Sequence, residues 1–391
     1  MFNLPRTVII LGLVSFLTDF SSEMIYPLLP VFLSTVLGAG AMALGIVEGV
    51  AETTASLLKV VSGIWADKIK KRVPFILAGY GLAGAVRPLI GLAGSWPFVL
   101  VMRFMDRIGK GLRTSPRDAL IAESTAFHQR GRAFGFHRAM DHAGAVVGPL
   151  VAAALLGIGL NLRHVFYLAA VPAAAVVVVI LLGVKEQPPA ESSDDSLNVV
   201  ETPNVQAGKE YRLFLAALLL FTLGNSTDAF LLLRLTDSGV TASHVALLWA
   251  ALHVVKMLAS FWGGKLCDRY GSGRLLILGW FYYALIYVGF GLMHSPLWLM
   301  IAFVAYGLYF GLAEPAERTL VAALAPRHKR GTAFGWFHMV AGLGALPASV
   351  LFGLIWKTFG ATTAFLMGAA LALAAAVIFM TSSKTASRTC E

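Results

Sequence analysis

The chain has 391 residues, 58% of them hydrophobic and only 13% charged, with a mean hydropathy of +0.75. So small a share of charge leaves too little polar surface for a soluble globule of this length. The net charge of +10 would suggest nucleic acid in a soluble domain, but its placement along the chain, described below, excludes that partner.

Twelve apolar runs of about 20 residues follow one another, each long enough to cross a hydrocarbon core about 30 Å thick. They lie near 7–36, 42–66, 73–93, 97–121, 132–157 and 162–184, then near 211–235, 243–267, 273–293, 296–322, 331–357 and 361–381. Backbone polar groups in lipid must be satisfied within the segment, so these runs are expected to be helices. The expected fold class is an all-α integral membrane protein. The first run is too long for a signal peptide, holds Asp19 and Glu23, and lacks a small-residue cleavage site.

Charged side chains at membrane depth cost about 2.5–3.5 kcal/mol each on insertion scales, so each needs a reason. In the first span Asp19, Glu23 and Tyr26 share one helical face, as do Glu48, Glu52 and Lys59 in the second. Carboxylates one turn apart in a low dielectric suit proton exchange. The second span ends in Gly63-Ile-Trp-Ala-Asp67-Lys68-Ile-Lys-Lys71-Arg72. The fourth carries a stripe of Arg103, Arg107, Lys110, Thr114 and Arg117 within one sector, which Arg87 and Arg138 extend. Such a stripe lines a wet cavity or pairs with acids on neighbouring helices. Three readings stay open: a paired gating network, a clamp for an anionic substrate, and cation coordination by the acids. The fifth span offers His137, Asp141 and His142, which suit a proton relay better than a metal site. Behind them come Gly144, Gly148 and Pro149, a smooth face that lets another backbone approach and a proline that bends the helix.

Residues 185–210 hold Pro188-Pro189, Ser192-Ser193-Asp194-Asp195 and Pro203 with no apolar period, and read as a disordered acidic linker. The expected organisation is a bundle of six helices in 1–184, this linker, and a second bundle in 211–391. The second half is quieter. It offers Asn225 and Asp228, then His253 and Lys256, and a face of Tyr306, Phe310, Ala313 and Glu317 with Tyr309 at its edge, a mix that suits a substrate wall as well as ordinary packing.

The halves repeat one another. Gly264-Lys-Leu-Cys-Asp268-Arg269 restates Gly63…Asp67-Lys68 at an offset of 201, and Arg330-Gly-Thr-Ala-Phe-Gly335 restates Arg130-Gly-Arg-Ala-Phe-Gly135 at an offset of 200. Parallel repeats related by an axis along the membrane normal characterise two-bundle carriers. Arg6, Lys68 to Arg72, Arg130, Arg132, Arg269, Arg274, Arg327 to Arg330, Lys384 and Arg388 all fall on one side of the alternating topology. The opposite loops near Gly38, Gly94 and His294 are almost free of Lys and Arg. The positive-inside rule then puts both termini in the cytoplasm of a multi-pass plasma (inner) membrane protein. Cys267 and Cys390, the only cysteines, support neither a disulfide framework nor a metal ribbon.

Over essentially its full length the sequence resembles the major facilitator superfamily. Gly63…Asp67-Lys68…Arg72 is similar to that superfamily's signature between helices two and three, departing at Lys70, where the family usually has Gly. Arg103-Phe-Met-Asp106-Arg107-Ile-Gly109 resembles its helix-four motif with Gln and Gly replaced by Asp106 and Arg107. Gly144-Ala-Val-Val-Gly148-Pro149 resembles the helix-five motif that marks proton antiporters more often than symporters.

The resemblance implies alternating access by two rocking bundles, a monomer, and a small organic solute exchanged for protons, efflux being the leading direction. Asp19, Glu23, Asp141 and His137 are the candidate proton groups, with Arg103 beside them. Tyr26, Glu48, Glu52, Arg107, Lys110, Arg138, Asn225, Asp228, Lys256, Tyr306, Tyr309 and Glu317 are candidates for the substrate wall. Gly63, Asp67, Arg72, Gly144, Gly148, Pro149, Gly264 and Asp268 are candidates for gating, with Asp67 pairing to basic residues or capping a neighbouring helix. No cofactor, metal or nucleic acid is implied. The first alternative is a proton symporter taking up an anionic metabolite. The other is a non-transporting sensor or intramembrane enzyme, against which stands the absence of a Gly-x-Ser-x-Gly or His-Glu-x-x-His pattern.

Overall fold

A computed structural model describes residues 4–39, 41–186 and 205–388, all of them helix or helix connection. In the first half these are α1 (Arg6–Glu23), α2 (Ala41–Ile69), α3 (Val73–Leu89), α4 (Trp96–Glu123), α5 (Arg130–Gly157) and α6 (Leu162–Leu168 continued by Ala170–Gly183). In the second they are α7 (Val205–Gly224, then Ala229–Asp237), α8 (Ala242–Tyr270), α9 (Ser272–Leu292) and α10 (Pro296–Leu324). The last stretch, Arg330–Arg388, is broken at Gly360 (φ +87) into α11 (330–359) and α12 (361–388).

Local sequence explains the boundaries. A proline in the first turn opens α3, α4 and α10, where its missing N–H costs nothing. α8 stops at Gly271, which takes φ +87. Past Glu23 the prolines Pro27 and Pro30 replace regular α-helix with a 3-10 turn (Tyr26–Leu28) and a π turn (Phe32–Val36). The stretch read as a linker is shorter than expected at its far end, since α7 already starts at Val205. Its Pro188, Pro189, Ser192 to Asp195 and Pro203 lie outside the described residues.

Nine segments among the described residues are long and apolar enough to cross a membrane, and one of them, Arg327–Thr381, is α11 and α12 together. α2 and α4 are as long but more polar, because they carry the intramembrane charges. Twelve membrane-length helices result.

Small residues let these helices touch. A side chain on Gly79 would collide with the Gly109 backbone where α3 crosses α4, and one on Gly311 with Ala259 where α10 crosses α8. Across the seam between the halves the same device recurs twice. Gly63 on α2 faces the Gly331 carbonyl of α11, and Gly264 on α8 faces Gly131 and Gly135 of α5. Aromatic side chains fill the second half, with Trp280, Tyr283, Tyr287 and Phe290 fully buried.

Candidate functional site

At the ends of α2 and α8 the two aspartates of the repeated motif bridge the halves. Asp67 accepts hydrogen bonds from the backbone N–H groups of Gly331 (3.0 Å) and Thr332 (2.6 Å) and from the Thr332 hydroxyl (2.7 Å), at the N-terminus of α11. Arg72 lies 2.6 Å from the same carboxylate and 2.9 Å from Glu123. Asp268 accepts from the backbone of Gly131 (2.7 Å) and Arg132 (3.0 Å), at the N-terminus of α5, and from the Arg132 guanidinium (3.0 Å). A carboxylate on the free N–H groups of a helix start is favoured twice, by hydrogen bonding and by the helix dipole.

A second cluster forms where α1 breaks. The Tyr26 hydroxyl donates to Asp106 (2.5 Å), which also takes Arg87 at 2.8 Å and Arg103 at 3.6 Å. The Arg103 guanidinium stands 3.9 Å from the centre of the Tyr26 ring and Arg107 5.6 Å from it. Three guanidiniums thus converge on one tyrosine and one buried carboxylate, an arrangement that cation–π attraction and charge pairing stabilise together.

The third cluster spans the seam deeper in the bundle. Arg138 on α5 holds Asp141 of its own helix and reaches Glu314 on α10 at 2.8 and 2.5 Å, a bidentate pair. Asp141 also accepts from Ser15 on α1, and Glu314 meets His142 at 3.3 Å. Beside it, fully buried Asp118 on α4 takes Arg117 at 2.9 Å, His338 of α11 at 2.8 Å and Arg318 of α10 at 3.9 Å.

Asp19 sits next to this cluster, and Glu23, one turn on, lies nearer the guanidiniums of the second. Gly144 and Gly148 of α5 pack against α1 at Phe16, Asp19, Phe20 and Glu23, so the smooth face meets the carboxylate face. Asp141, Glu23, Arg113 and Arg138 are the charged neighbours of Asp19. Among the described residues neither Asp19 nor Glu23 has a hydrogen bond or ion pair at its carboxylate. His137 is fully buried, 3.8 Å from Asp141, with no hydrogen-bond partner at either ring nitrogen among the described residues.

In the second half Asp228 takes Lys256 at 3.2 Å and the Tyr306 hydroxyl at 3.1 Å, and Lys256 lies 3.7 Å from the centre of the Phe310 ring. Asn225 accepts from Tyr283 (3.3 Å), whose ring stacks on Tyr287 at 4.1 Å and lies 5.1 Å from Tyr309. Glu317 is buried on the same helix as Tyr306 and Tyr309. Glu48 and Glu52 lie on α2, but their side chains are outside the described residues.

The residues singled out in the sequence therefore fall into separate clusters rather than one pocket. Glu314, Arg318 and His338 were not among them. The repeat register holds the signal for all three: at an offset of 200 they face Thr114, Asp118 and Arg138, so charges change across the repeat where the backbone does not. Among the described residues no group of three His, Cys, Asp or Glu is placed to hold a metal ion.

Comparison with known proteins agrees with this architecture. A profile of the Major Facilitator Superfamily matches residues 11–346 and, in a second match, 213–389. An uncharacterized MFS-type transporter of Methanocaldococcus jannaschii is 32% identical over 97% of this chain and 95% of its own. The multidrug resistance protein MdtG of Escherichia coli is 25% identical over 96% of this chain and 94% of its own. Among solved structures the human organic anion transporter MFSD10 matches with a TM-score of 0.80 at 16% identity, covering 96% of this chain and 99% of that one. The Escherichia coli fucose:proton symporter FucP matches at 0.76 and 14% identity, over 95% and 97%. Glycine-packed repeats, twelve helices and full-length relatives lead to one conclusion: the chain belongs to the major facilitator superfamily and is an integral membrane transporter, not an enzyme.

Proposed function

We propose that this transporter exports a small organic solute in exchange for protons, working as a monomer of two six-helix halves in the plasma membrane with both termini cytoplasmic. The single observation that carries the reading is the pair Asp19 and Glu23. Of the other acids whose side chains are described above, all but Glu317 are paired, as buried charge usually is. These two carboxylates have no hydrogen bond or ion pair among the described residues, and they lie against the glycine face of α5, Asp19 beside Asp141 and Arg138. Asp19 attracts Arg138, the residue that ties α5 to α10, so the charge on Asp19 alters the strength of that tie. Proton binding and movement of the halves are then linked. The similarity to a multidrug resistance protein supports the outward direction.

On this reading the end bearing Asp67 and Asp268 is cytoplasmic and closed, and the conformation is outward-facing. Gly63, Gly264 and the two aspartates hold the closed face, while Gly144, Gly148 and Pro149 shape the α1–α5 contact. Tyr306, Tyr309, Asn225, Asp228 and Lys256 form the solute wall on the second half.

The test uses inverted membrane vesicles with an imposed proton gradient and a pH-sensitive dye. A panel of lipophilic cations and anionic metabolites is added to wild type and Asp19→Asn. A compound that dissipates the gradient in wild type alone supports antiport. Equal dissipation in both removes Asp19 from the coupling, and solute counterflow with no proton movement excludes antiport.

A second reading, uptake of an anionic metabolite with protons, draws on the guanidiniums of Arg87, Arg103 and Arg107 around Tyr26. Arg107→Gln and Lys110→Gln should then abolish anion flux and spare a lipophilic cation. Anion flux surviving in both variants rejects it.

A further inference from the structure

At the closed end a cavity of about 540 Å³ opens between the loop after α2, the α4–α5 turn, the end of α6 and the α10–α11 turn. Five of its residues are basic: Lys70, Arg72, Arg130, Arg327 and Arg330. Its carboxylates are Asp67, Glu123 and Glu186; all three are engaged at Arg72, and Asp67 also caps the start of α11 at Gly331 and Thr332. Asp67 and Glu123 hold the Arg72 guanidinium, while Glu186 accepts from the backbone N–H groups of Arg72 (2.6 Å) and Val73 (3.0 Å). The opposite wall is cationic. Arg130 there is 94% buried: one of its nitrogens reaches the Ala322 carbonyl at 3.2 Å, and its Nε has no partner. Arg330 and Arg327 are its nearest charges and of the same sign.

Lys70 adds an independent observation. It has φ +57, in the left-handed region, while the position equivalent to it in the repeat, 201 residues on, is Gly271 with φ +87. A backbone that asks for glycine carries a lysine here, at the rim of the cavity, at a cost of about 1–2 kcal/mol.

We infer that this cavity is a binding site for a phosphate-bearing anion which locks the closed face. Guanidiniums match phosphate oxygens in bidentate geometry better than any other anion partner except carboxylate, and several converge here. The volume exceeds that of a single phosphate and admits pyrophosphate or a nucleotide's phosphate chain. Arg130 belongs to the first half and Arg327 and Arg330 to the second. Closing this end brings like charges together, and an anion between them removes the repulsion. The ligand therefore binds the closed form more tightly and shifts the population toward it. The site does not depend on which solute is carried or in which direction, so it stands or falls apart from the antiport reading.

Cys267 supplies the reporter. It is buried where α8 crosses α5, against Gly131, so parting of these two helices at this end is expected to expose it. Full-length Cys390→Ser protein in phosphatidylcholine nanodiscs is titrated with inorganic pyrophosphate, and the rate of Cys267 modification by a maleimide is followed. Pyrophosphate at ten times its Kd should slow the modification about tenfold if it binds the closed form alone. Potassium chloride at the same ionic strength should not, because screening lacks the geometry. Arg327→Gln, a change at an exposed side chain, and Arg130→Gln should both abolish the slowing. A second series replaces pyrophosphate with phosphatidylglycerol in the disc. Slowing by the lipid but not by pyrophosphate also supports the site and identifies a headgroup as the source of the phosphate. No slowing by either, or slowing that persists in Arg327→Gln and Arg130→Gln, overturns the inference.

Discussion

The two halves share a backbone plan and differ in chemistry. Glycines recur at offsets of 201 or 200, at 63 and 264, 131 and 331, 135 and 335, and these positions are the helix crossings at the seam. Side chains at equivalent positions diverge. Arg117-Asp118 of α4 is answered by Glu317-Arg318 of α10, and Arg138 of α5 by His338 of α11. A repeat that kept both would bring like charges together at the seam. With the charges changed, Arg138 meets Glu314 and Asp118 meets His338 and Arg318. The first half carries the converging guanidiniums and the Asp19 and Glu23 carboxylates, and the second carries stacked tyrosines around the Asp228–Lys256 pair.

The largest expected effect tests the charged seam. Arg138→Gln leaves Glu314 and Asp141 buried without their cation and should destabilise the protein by about 3–5 kcal/mol, read as thermal unfolding in detergent. The double variant Arg138→Gln with Glu314→Gln should regain much of that loss. If the double variant is no better than the single, the two residues do not form an energetic pair.

The glycine comparison separates fold from state. Gly263→Ala forces apart α8 and α10 within one half and should lower the melting temperature, at a cost of about 1–3 kcal/mol. Gly63→Ala forces apart α2 and α11 across the seam. It should cost a similar amount, spent on opening the closed end and read as faster Cys267 modification with little change in melting. Identical behaviour of the two variants would mean that the seam is no weaker than the interior of a half.

The two aspartates sharpen the comparison further. Asp67→Asn loses a carboxylate shared by a helix N-terminus and the buried Arg72, worth about 1.5–3 kcal/mol of closed-state stability. Asp268→Asn should lose less, because its guanidinium partner Arg132 is 46% exposed and already solvated. Cys267 modification rates rank them, and the reverse order would show that helix capping outweighs the ion pair.

The smallest effect concerns position 70. Lys70→Gly relieves a left-handed backbone and should stabilise the protein by about 1 kcal/mol, whereas Gly271→Ala should destabilise it by a comparable amount. Equal melting of Lys70→Gly and wild type would mean that contacts of the lysine offset its strain.

Much of the fold was legible in the sequence. Apolar run length, Pro and Gly punctuation and the offset of the repeat pointed to an all-α membrane protein of twelve helices, because hydrocarbon thickness and backbone satisfaction act on each segment locally, while the family was legible only through the resemblance of its motifs. Periodicity also grouped Asp19 with Glu23 and Arg103 with Arg107, since one helix suffices to define a face. Partners across the seam were not legible. Asp67 and Gly331 are 264 residues apart, Asp118 and His338 220, Arg138 and Glu314 176. Nothing local marks Glu314 as the residue that holds Arg138. Which charges are paired, and which carboxylates are left without a partner, was decided only when helix packing brought the two halves' unlike side chains to one seam.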